Sequence, residues 1–452
     1  MNQFTRIPTK TVRVGKTIVG LGTHAVRMLP TSGVQKEQAV KRLGDWLASE
    51  FVDLGPTYIK VGQFISTRND IYGNTFSDCF KTLHNSVEPL RGEAARKLIE
   101  CDAGIDLSLF SHIDYDNAVA ASMAQVHCAR LASNGKRVVI KVMRPGIRSE
   151  IESDMAFLNG LLTVMKQCLP AGDPVVRQLQ TTFTELGLYL EEEMDVAGEI
   201  HNLMEFGRIY PQDHPHVCVP RVIRKACTSR AIVMEEVSSL GIKRLISRPD
   251  YRDRKALANR VMSTFILQML DHGILHGDPH EGNIGIHRDG RLVIYDFGSI
   301  VRVDPNDIYQ IKQMIISMVM GDMSGTIKSL EGLGAEITDA KQLEGYITDY
   351  RSYIRTLDMQ ALMKAAKQRT QTLIDTSSTR PELPIVLPPR ISRILRTFSL
   401  LEGTCKMIDP GFGYYDTVFT VSSSHQFFDN DFVMYKSMRD LDSAFEWLIG
   451  KM

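Results

Sequence analysis

The spacing of apolar residues changes along the first half of the chain. Over 36–100 and again over 147–208, apolar residues recur at helical intervals among charged ones, with a Gly-Pro break at 55–56. Between these stretches, residues 117–146 hold two strand-like runs joined by an Asn-Gly pair at 134–135. Asn-Gly between alternating apolar runs predicts a β-hairpin, whose second strand is RVVIKVM. The pattern therefore predicts a helical N-terminal unit followed by a β-rich one.

The second half shows a similar change, from strands to helices. Residues 218–237 are typical of two more strands around a turn, and 254–273 of a helix that Gly273 ends. LVIYDFG, which begins at Leu292, is typical of a short buried strand, and 305–452 is mostly helical with a Pro-rich interruption at 380–390. Together these elements predict an α+β fold.

Composition narrows the class of protein. A chain of 452 residues is too long for one ordinary core, and 43% hydrophobic with 23% charged residues is typical of a globular protein. Lys+Arg and Asp+Glu both number 53, so no overall basic charge favours a nucleic-acid partner. Seven cysteines without a Cys-x-x-Cys pair, and no apolar leader after Met1, favour a reducing cytosol. No apolar run approaches the roughly 18 residues of a spanning helix.

The candidate chemistry lies in HGILHGDPHEGNIGIHRDGRLVIYDFGSI, residues 272–300. Phosphoryl transfer depends on positioning and on charge neutralisation, so such sites reuse one acid at the acceptor and polar groups on a metal. Asp278, Asn283 five residues later, and Asp296 in Asp-Phe-Gly supply these groups in the order of a kinase C-lobe. Each residue alone is more often a turn former, but their joint order favours catalysis.

Three upstream features complete this interpretation. Lys141 lies on the strand VVIKV, where alternation can point it to one face while Val138 and Val142 fill the other. The segment AASMAQVH, 120–127, stands where a kinase has its Gly-rich loop, and its small side chains still let backbone N–H groups approach phosphates. In YLEEEMDVAGEIHN, either Glu193 or Glu199 is the partner of Lys141, and the sequence does not choose between them.

These residues resemble the UbiB family of atypical kinases, also called the AarF or coenzyme Q kinase-like family. The resemblance covers roughly residues 50–300, in family order. Its motifs are LGPTYIKVGQFISTRND with Lys60, Gly62 and Gln63, the Ala-rich AASMAQVH, VVIKVMRPG, EEMDVAGEIHN with its Glu-x-Asp pair, HGDPHEGN and YDFG. The Lys-x-Gly-Gln segment and the Ala-rich loop are specific, because ordinary kinases have neither.

The resemblance implies a protein-kinase-like bilobal fold: a helical Lys-x-Gly-Gln extension over 1–105, a small β-rich N-lobe over 106–237 and a helical C-lobe over 238–452. It implies ATP and Mg²⁺ as cofactors, with Asn283 and Asp296 as metal ligands. The implied catalytic residues are Asp278, Lys141, Glu199, Glu193 and Asp195. The implied nucleotide-binding residues are Ala120, Ala121, Ser122, Met123, Ala124, Gln125, Val126, Lys141, Met234, Glu235, Glu236, Lys60 and Gln63.

In the family, the Lys-x-Gly-Gln helices cover the cleft, so Lys60 and Gln63 are expected to face the nucleotide and the Glu193/Asp195 acids. Met234, Glu235 and Glu236 are expected at the hinge beside adenine. One departure is Glu281, which replaces a common Pro and adds negative charge near the metal.

The family supports isoprenoid quinone (ubiquinone) biosynthesis and behaves as an ATPase with little protein-kinase activity. The resemblance therefore implies a quinone precursor or lipid as partner, with peripheral membrane contact at the inner membrane face. After Asp296-Phe-Gly the chain passes almost directly to a helix at Asp304-Pro305, which leaves no activation loop for a peptide substrate. Two alternatives stay open: a small-molecule phosphotransferase of the aminoglycoside or choline kinase type, and a non-catalytic nucleotide-binding scaffold.

Overall fold

The computed structural model describes most of the chain in two compact units. The described residues are 34–67, 74–85, 89–120, 123–168, 174–248, 251, 253–320, 322–339, 341–343, 345, 385–413, 417 and 421. The first unit contains those up to Gln212, together with Val219–Val237 and Asp296–Gly298; the second contains Asp213–Cys218, Ser238–Tyr295 and those from Ser299 onward. Part of the predicted Pro-rich interruption, 380–384, lies outside the described residues.

Helices open the first unit. They are α1 (Val34–Leu54), α2 (Pro56–Thr67) and α3 (Asn74–Ser77), and α3 continues as a 3₁₀ helix (Asp78–Asn85). The predicted Gly-Pro break separates α1 from α2: Gly55 has φ 106°, a conformation that glycine adopts at little cost, and Pro56 starts the next helix. Leu47, Phe51, Tyr58, Phe80 and Leu83 are among the residues of a shared apolar core.

A five-stranded antiparallel sheet follows α4 (Gly92–Lys97). Its strands are β1 (Phe110–Ile113), β2 (Val119–Ala120), β3 (Ala124–Leu131), β4 (Arg137–Met143) and β6 (Ala231–Glu235), whereas β5 (Val217–Cys218) belongs to the second unit. The order is β1-β3-β4-β6, and β2 pairs with β3. The predicted hairpin is confirmed as β3–β4, with Gly135 of its turn at φ 68°.

Three long helices complete the first unit: α5 (Ile147–Cys168), α6 (Pro174–Met194) and α7 (Val196–Ile209). Leu186 and Leu190 of α6 pack with Ile147 and Ile151 of α5 in an apolar cluster that also includes Phe64 of α2. The same cluster includes Met143 of β4 and Ile232 of β6, so it joins the helical extension to the sheet.

The second unit combines short strands with helices. A four-stranded sheet has the order β5-β10-β9-β7, and a two-stranded one pairs β8 with β11. The elements are β7 (Ser239–Gly241), α8 (Ile242–Ile246), α9 (Arg254–His272), β8 (Ile274–His276), β9 (Ile284–His287), β10 (Leu292–Ile294), β11 (Ile300–Arg302), α10 (Pro305–Met320), α11 (Met323–Gly332), β12 (Glu336–Ile337), β13 (Ile385–Val386) and α12 (Pro389–Ile408). Gly273 ends α9 as predicted, at φ 64°.

The predicted strand pair in 218–237 is wrong in its first half. β5 spans only Val217–Cys218 and pairs in parallel with β10. The residues that follow form a 3₁₀ turn at Arg224–Ala226 and one isolated bridge from Val222 to Met234. Pro220 lacks the N–H that a continuous ladder requires, which explains the interruption. The α+β class itself is confirmed.

Candidate active site

Lys141 lies at the centre of a charged cluster in the first unit. Along β4, Val138, Ile140 and Val142 are fully buried in the core, so alternation turns Lys141 to the opposite face. Its Nζ lies 2.6 Å and 2.9 Å from the two carboxylate oxygens of Glu199. The sheet thus presents one ammonium group to a single bidentate acid.

The partner of Lys141 is therefore Glu199, which resolves the alternative that the sequence left open. Glu199 lies in the first turn of α7 and is buried. Asp195 caps this helix, because its Oδ1 accepts a hydrogen bond of 2.8 Å from the backbone N–H of Gly198. The structure thus gives Asp195 a local role: it fixes where α7 begins, and hence where Glu199 lies.

Glu193 pairs with a different lysine. Its Oε2 lies 2.8 Å from Nζ of Lys60 on α2, and that ammonium also lies 5.5 Å from the ring centroid of Tyr189. The Nε2 of Gln63, one turn further along α2, donates to the carbonyl oxygen of Leu83 at 3.2 Å. The structure thus brings Lys60 to Glu193, the first acid of the Glu-x-Asp pair, whereas the Gln63 amide binds within the helical extension.

Asp296 joins the cluster from the Asp-Phe-Gly segment. Its Oδ2 lies 3.3 Å from Nζ of Lys141, and its Oδ1 accepts a 3.2 Å hydrogen bond from the backbone N–H of Gly298. Among the described residues, Asp296 is the only one other than glycine with positive φ, at 55°. Such a conformation costs free energy, so the surrounding contacts must hold it.

Two residues of α7 contact this segment. The Nδ2 of Asn202 donates to the carbonyl oxygen of Phe297 at 2.9 Å, and the Phe206 ring lies 4.9 Å, centroid to centroid, from the Phe297 ring. Neither residue was predicted from the sequence, although their spacing of three and seven residues from Glu199 places all three on one helix face. That spacing was the available signal.

The charges of this cluster do not balance. Glu193, Glu199 and Asp296 supply three carboxylates against the ammonium groups of Lys60 and Lys141. Burial alone would lower the pKa of Lys141, but Asp296 and Glu199 outweigh it and raise that pKa above its ordinary value. Burial, opposed by Lys141 and assisted by Asp296, raises the pKa of Glu199 to about 7. When Glu199 is ionised, the described residues of this cluster therefore have one more carboxylate than ammonium groups.

A divalent cation on Asp296 would offset the extra carboxylate. No group of three or more His, Cys, Asp or Glu side chains suited to a metal occurs in the described part of the chain. Mg²⁺ in nucleotide sites commonly uses one or two carboxylates together with phosphate oxygens and water, so it needs no such cage. The half-exposed carboxylate of Asp296 fits that requirement.

The Ala-rich loop is only partly as predicted. Ala121 and Ser122 lie outside the described residues. The side chain of Met123 is buried in the apolar cluster beneath the sheet, and Ala124 is buried as well. The side chain of Gln125 is fully buried, accepts a 3.0 Å hydrogen bond from the N–H of Leu90 and lies 2.6 Å from the ring of His127, so only the backbone of Gln125 is left to serve the predicted loop.

The reason is strand alternation. Gln125 stands opposite Val142, on the face away from Lys141, whereas Val126 stands opposite Lys141 itself. Ala120 pairs with Gln125 at the start of the β2–β3 connection and is half-buried. Of the loop side chains that the structure describes on β3, Val126 and Ala124, two positions apart, therefore share a face with Lys141.

The predicted hinge residues lie at the end of β6, where the first unit ends at Val237. Met234 is half-buried and stands opposite Val139, on the face of Lys141. The carboxylate of Glu235 pairs with Lys136, and that of Glu236 pairs with Arg137, whose Nε lies 2.8 Å away. The structure thus brings Met234 and Lys141 to one face, while ion pairs engage the two glutamates.

The second unit carries Asp278 and Asn283. Both lie in the loop between β8 and β9, where Nδ2 of Asn283 donates to the carbonyl oxygen of Asp278 at 3.1 Å. Asn283 is buried, and no hydrogen bond among the described residues occupies its Oδ1, the atom that a metal ligand requires. Nε2 of His280 lies 3.6 Å from Oδ2 of Asp278.

Residues that the sequence analysis missed hold this loop. Nδ1 of the buried His276 accepts from the N–H of Asp278 at 3.3 Å, so Nε2 carries the proton and donates to the carbonyl of Tyr295 at 3.0 Å. Oγ1 of Thr404 donates to the carbonyl of Pro279 at 3.0 Å. Oγ1 of Thr397 lies 3.3 Å from the carbonyl oxygen of Gly277 and 3.0 Å from that of Arg393 in its own helix. The two threonines lie over 100 residues away on α12, so no local pattern predicts them.

The structure offsets the charge of Glu281. Its Oε1 lies 2.7 Å from Nζ of Lys243 on α8. Burial would raise the pKa of Glu281, but the hydrogen bond from Lys243 lowers it below the ordinary value. The expected extra negative charge in this loop is thus compensated by a neighbouring lysine.

Of the helices that the structure describes, none has both the length and the apolar character needed to cross a membrane. Residues 82–330 match the model of the ABC1 atypical kinase-like domain. Over 415 residues the chain is 28% identical to the chloroplastic Protein ACTIVITY OF BC1 COMPLEX KINASE 8 of Arabidopsis thaliana. This match covers 84% of the chain and 54% of that protein.

A second relative is a probable protein kinase UbiB of Vibrio cholerae, 31% identical over 261 residues, or 56% of this chain and 46% of that protein. The chain thus spans about half the length of both relatives. Among solved structures, the Rv3197–erythromycin complex from Mycobacterium tuberculosis matches with a TM-score of 0.56 at 19% identity, over 88% of this chain and 94% of that one. At that identity the likeness concerns the fold alone.

Proposed function

The chain belongs to the ABC1 atypical kinase-like family, as its motifs predicted, and has a kinase-like fold; on this basis we propose that it binds Mg²⁺-ATP and transfers or hydrolyses the γ-phosphoryl group. The observation that carries the proposal is the bidentate pairing of Lys141 with Glu199, with Asp296 3.3 Å from the same ammonium. A strand lysine fixed by a helix glutamate beside a metal-binding aspartate is the arrangement that phosphoryl transfer uses.

Strand register supports a nucleotide on the Lys141 face of the sheet. Val126 stands opposite Lys141, and Met234 stands opposite Val139, so these side chains share that face. Val126, Val139 and Met234 are only half-buried. They offer an apolar surface for a base within one or two strand positions of the ammonium that would hold the phosphates.

Asp278 and Asn283 complete the proposed machinery. We assign Asp278 as the catalytic acid that orients the acceptor, and Asn283 as a second metal ligand through its Oδ1. Their loop is held where the N–H of Asp278 donates to His276 and the carbonyl of Pro279 accepts from Thr404, with Thr397 next to the carbonyl of Gly277. Fixed side chains favour catalysis because little reorganisation is needed when the substrate binds. Mg²⁺, when bound, neutralises charge that develops on the phosphates.

The acceptor is a small molecule or water rather than a protein. β11 pairs with β8 directly after the Asp-Phe-Gly segment, and only Val303 and Asp304 separate it from α10. No platform for a peptide therefore follows Asp296, in contrast to protein kinases. We propose a quinone precursor or another lipid of isoprenoid quinone metabolism as partner, reached by peripheral contact with a membrane.

Purified protein tests the proposal through nucleotide-dependent thermal shifts and ATPase rates, with and without phenolic quinone precursors and anionic vesicles. Asp296→Asn is expected to lose the Mg²⁺-dependent shift. Asp278→Asn is expected to keep the shift but lose turnover, since it leaves the Lys141 cluster intact. Asp116→Asn, at an exposed position of the first unit, serves as the matched control.

Two results would count against the proposal. Equal nucleotide shifts in the wild type and Asp296→Asn would defeat the metal assignment. A wild-type protein that neither binds nor hydrolyses Mg²⁺-ATP would defeat the function itself. Stimulation of hydrolysis by vesicles without quinone precursor would identify the lipid surface, rather than the phenol, as the partner.

A further inference from the structure

One face of α7 joins the lysine of the cluster to the metal-binding segment. Glu199, Asn202 and Phe206 follow each other at three and four residues, which places them in one row along the helix. Glu199 holds Lys141, whereas Asn202 and Phe206 both contact Phe297, the residue that follows Asp296. The same helix therefore fixes both Lys141 and the segment of Asp296, the two groups that we propose to hold the nucleotide and its metal.

Asp296 needs such support because its backbone is strained. At φ 55° its Cβ is crowded by its own carbonyl oxygen, and an ordinary residue adopts this conformation only where its surroundings hold it. The hydrogen bond between Oδ1 of Asp296 and the N–H of Gly298 is local and moves with the segment. The contact from Asn202 comes instead from an element that is anchored by a capped N-terminus.

The chemistry of this contact is specific to an amide. The acceptor is the carbonyl oxygen of Phe297, so the side chain must donate, and Asn202 does so at 2.9 Å from a half-buried position. An aspartate of the same shape would direct an oxygen at that carbonyl, and a leucine would provide no donor. The Phe206 ring packs against Phe297 but exerts no direction on its carbonyl.

We propose that Asn202 is a positioning residue that orients Asp296 for Mg²⁺, by fixing the peptide between Phe297 and Gly298. This inference rests on the proposed function. It predicts a selective defect in variants of Asn202. Their affinity for Mg²⁺ falls, whereas the Lys141–Glu199 pair and the affinity for metal-free nucleotide are preserved.

The test uses Asn202→Asp, Asn202→Leu and the milder Asn202→Ser, with His201→Ala as the exposed neighbour on the same helix. Fluorescent ATP analogue binding is titrated against Mg²⁺, and hydrogen–deuterium exchange is measured on the peptide that contains Asp296–Gly298 without nucleotide. The half-saturating Mg²⁺ concentration is expected to rise about 10- to 100-fold in the Asp and Leu variants, the usual effect of losing a group that orients a ligand. Exchange at Gly298 is expected to accelerate, and His201→Ala is expected to match the wild type.

The two proposals fail in different ways. If folded Asn202 variants keep wild-type Mg²⁺ dependence and wild-type exchange, Asn202 does not position Asp296, while the proposed function stands. If the variants lose affinity for metal-free nucleotide by the same factor as for Mg²⁺-nucleotide, relative to the wild type, the role of Asn202 is general packing and the inference is wrong. If the wild type itself shows no Mg²⁺-dependent binding, the proposed function fails, and unchanged exchange in the variants would then reject the Asn202 contact as well.

Discussion

Individual residues in the first unit combine opposite charges in a setting where water is scarce. Lys141 and Glu199 are nearly buried, yet each keeps a direct partner, which limits the cost of removing them from water. Asp296 adds a second carboxylate to the same ammonium and is about half exposed. The result is an excess of negative charge that a divalent cation would offset, at the residue whose backbone is strained.

The raised pKa of Glu199 gives a prediction about pH. Its folded-state pKa of about 7 exceeds the ordinary value of 4.5, so the folded protein binds more protons than the unfolded chain between these values. The stability from this group is fully present below pH 4.5 and is lost as the pH rises through 7. Glutamine does not titrate, so the Glu199→Gln variant does not lose this stability. The difference in free energy of unfolding, variant minus wild type, should therefore increase from pH 5 to pH 8.

Chemical denaturation of ligand-free protein at both pH values measures this difference. Glu191→Gln, an exposed glutamate on α6, is the control and should follow the wild type at each pH. If the Glu199→Gln and wild-type stabilities change in parallel with pH, the pKa of Glu199 is not raised by its surroundings.

At the scale of the element, two glycines lie on helix surfaces that differ in packing: Gly62 is closely packed, whereas Gly160 is open to solvent. A Cβ on Gly62 of α2 would lie 3.0 Å from Phe80 and 3.1 Å from Phe51, and would overlap the Leu83 side chain. On α5, a Cβ on Gly160 would meet nothing within 4 Å. The glycine of the Lys-x-Gly-Gln motif thus permits α2 to approach the 3₁₀ helix behind it, and this approach fixes the helix that carries Lys60.

This contrast predicts opposite effects of the same substitution. Gly62→Ala should lower the free energy of unfolding by about 1–3 kcal/mol, because the core must shift to admit a methyl group. Gly160→Ala should raise it by about 0.5–1 kcal/mol, since alanine favours an exposed helix. Thermal and denaturant unfolding of both variants provide the measurement, and a stabilised Gly62→Ala protein would show that α2 does not pack this closely.

At the scale of the molecule, residues distant in sequence determine the shape of the loop that contains Asp278. Within the second unit, α12 places Oγ1 of Thr404 at 3.0 Å and Oγ1 of Thr397 at 3.3 Å from the carbonyl oxygens on either side of Asp278. Both threonines are buried, so water does not replace them readily. The arrangement ties the C-terminal helix to the proposed catalytic acid.

Thr404→Val tests this connection. The substitution conserves shape but leaves the carbonyl of Pro279 without its donor, which should cost about 1–3 kcal/mol of stability. Since the loop then loses a restraint, kcat for ATP hydrolysis should fall more than nucleotide affinity. Ser392→Ala, exposed near the start of α12, is the control. A Thr404→Val enzyme with wild-type kcat would show that the loop holds its shape without α12.

The sequence by itself determined the parts whose cause is local. The β3–β4 hairpin follows from Asn134-Gly135, the end of α9 from Gly273, and the outward position of Lys141 from strand alternation. Each of these depends on residues within a few positions, where backbone conformation and side-chain direction are fixed by chemistry close at hand.

Only the tertiary structure decided which partners meet. Glu193 near the end of α6 and Glu199 in the first turn of α7 have the same side chain, and the choice of Glu199 for Lys141 depends on how α7 packs against the sheet. The same holds for the hydrogen bond from the N–H of Leu90 to Gln125, and for that from Thr404 on α12 to Pro279. Such contacts join residues tens to hundreds of positions apart, so they arise from the shape of the whole core rather than from any local pattern.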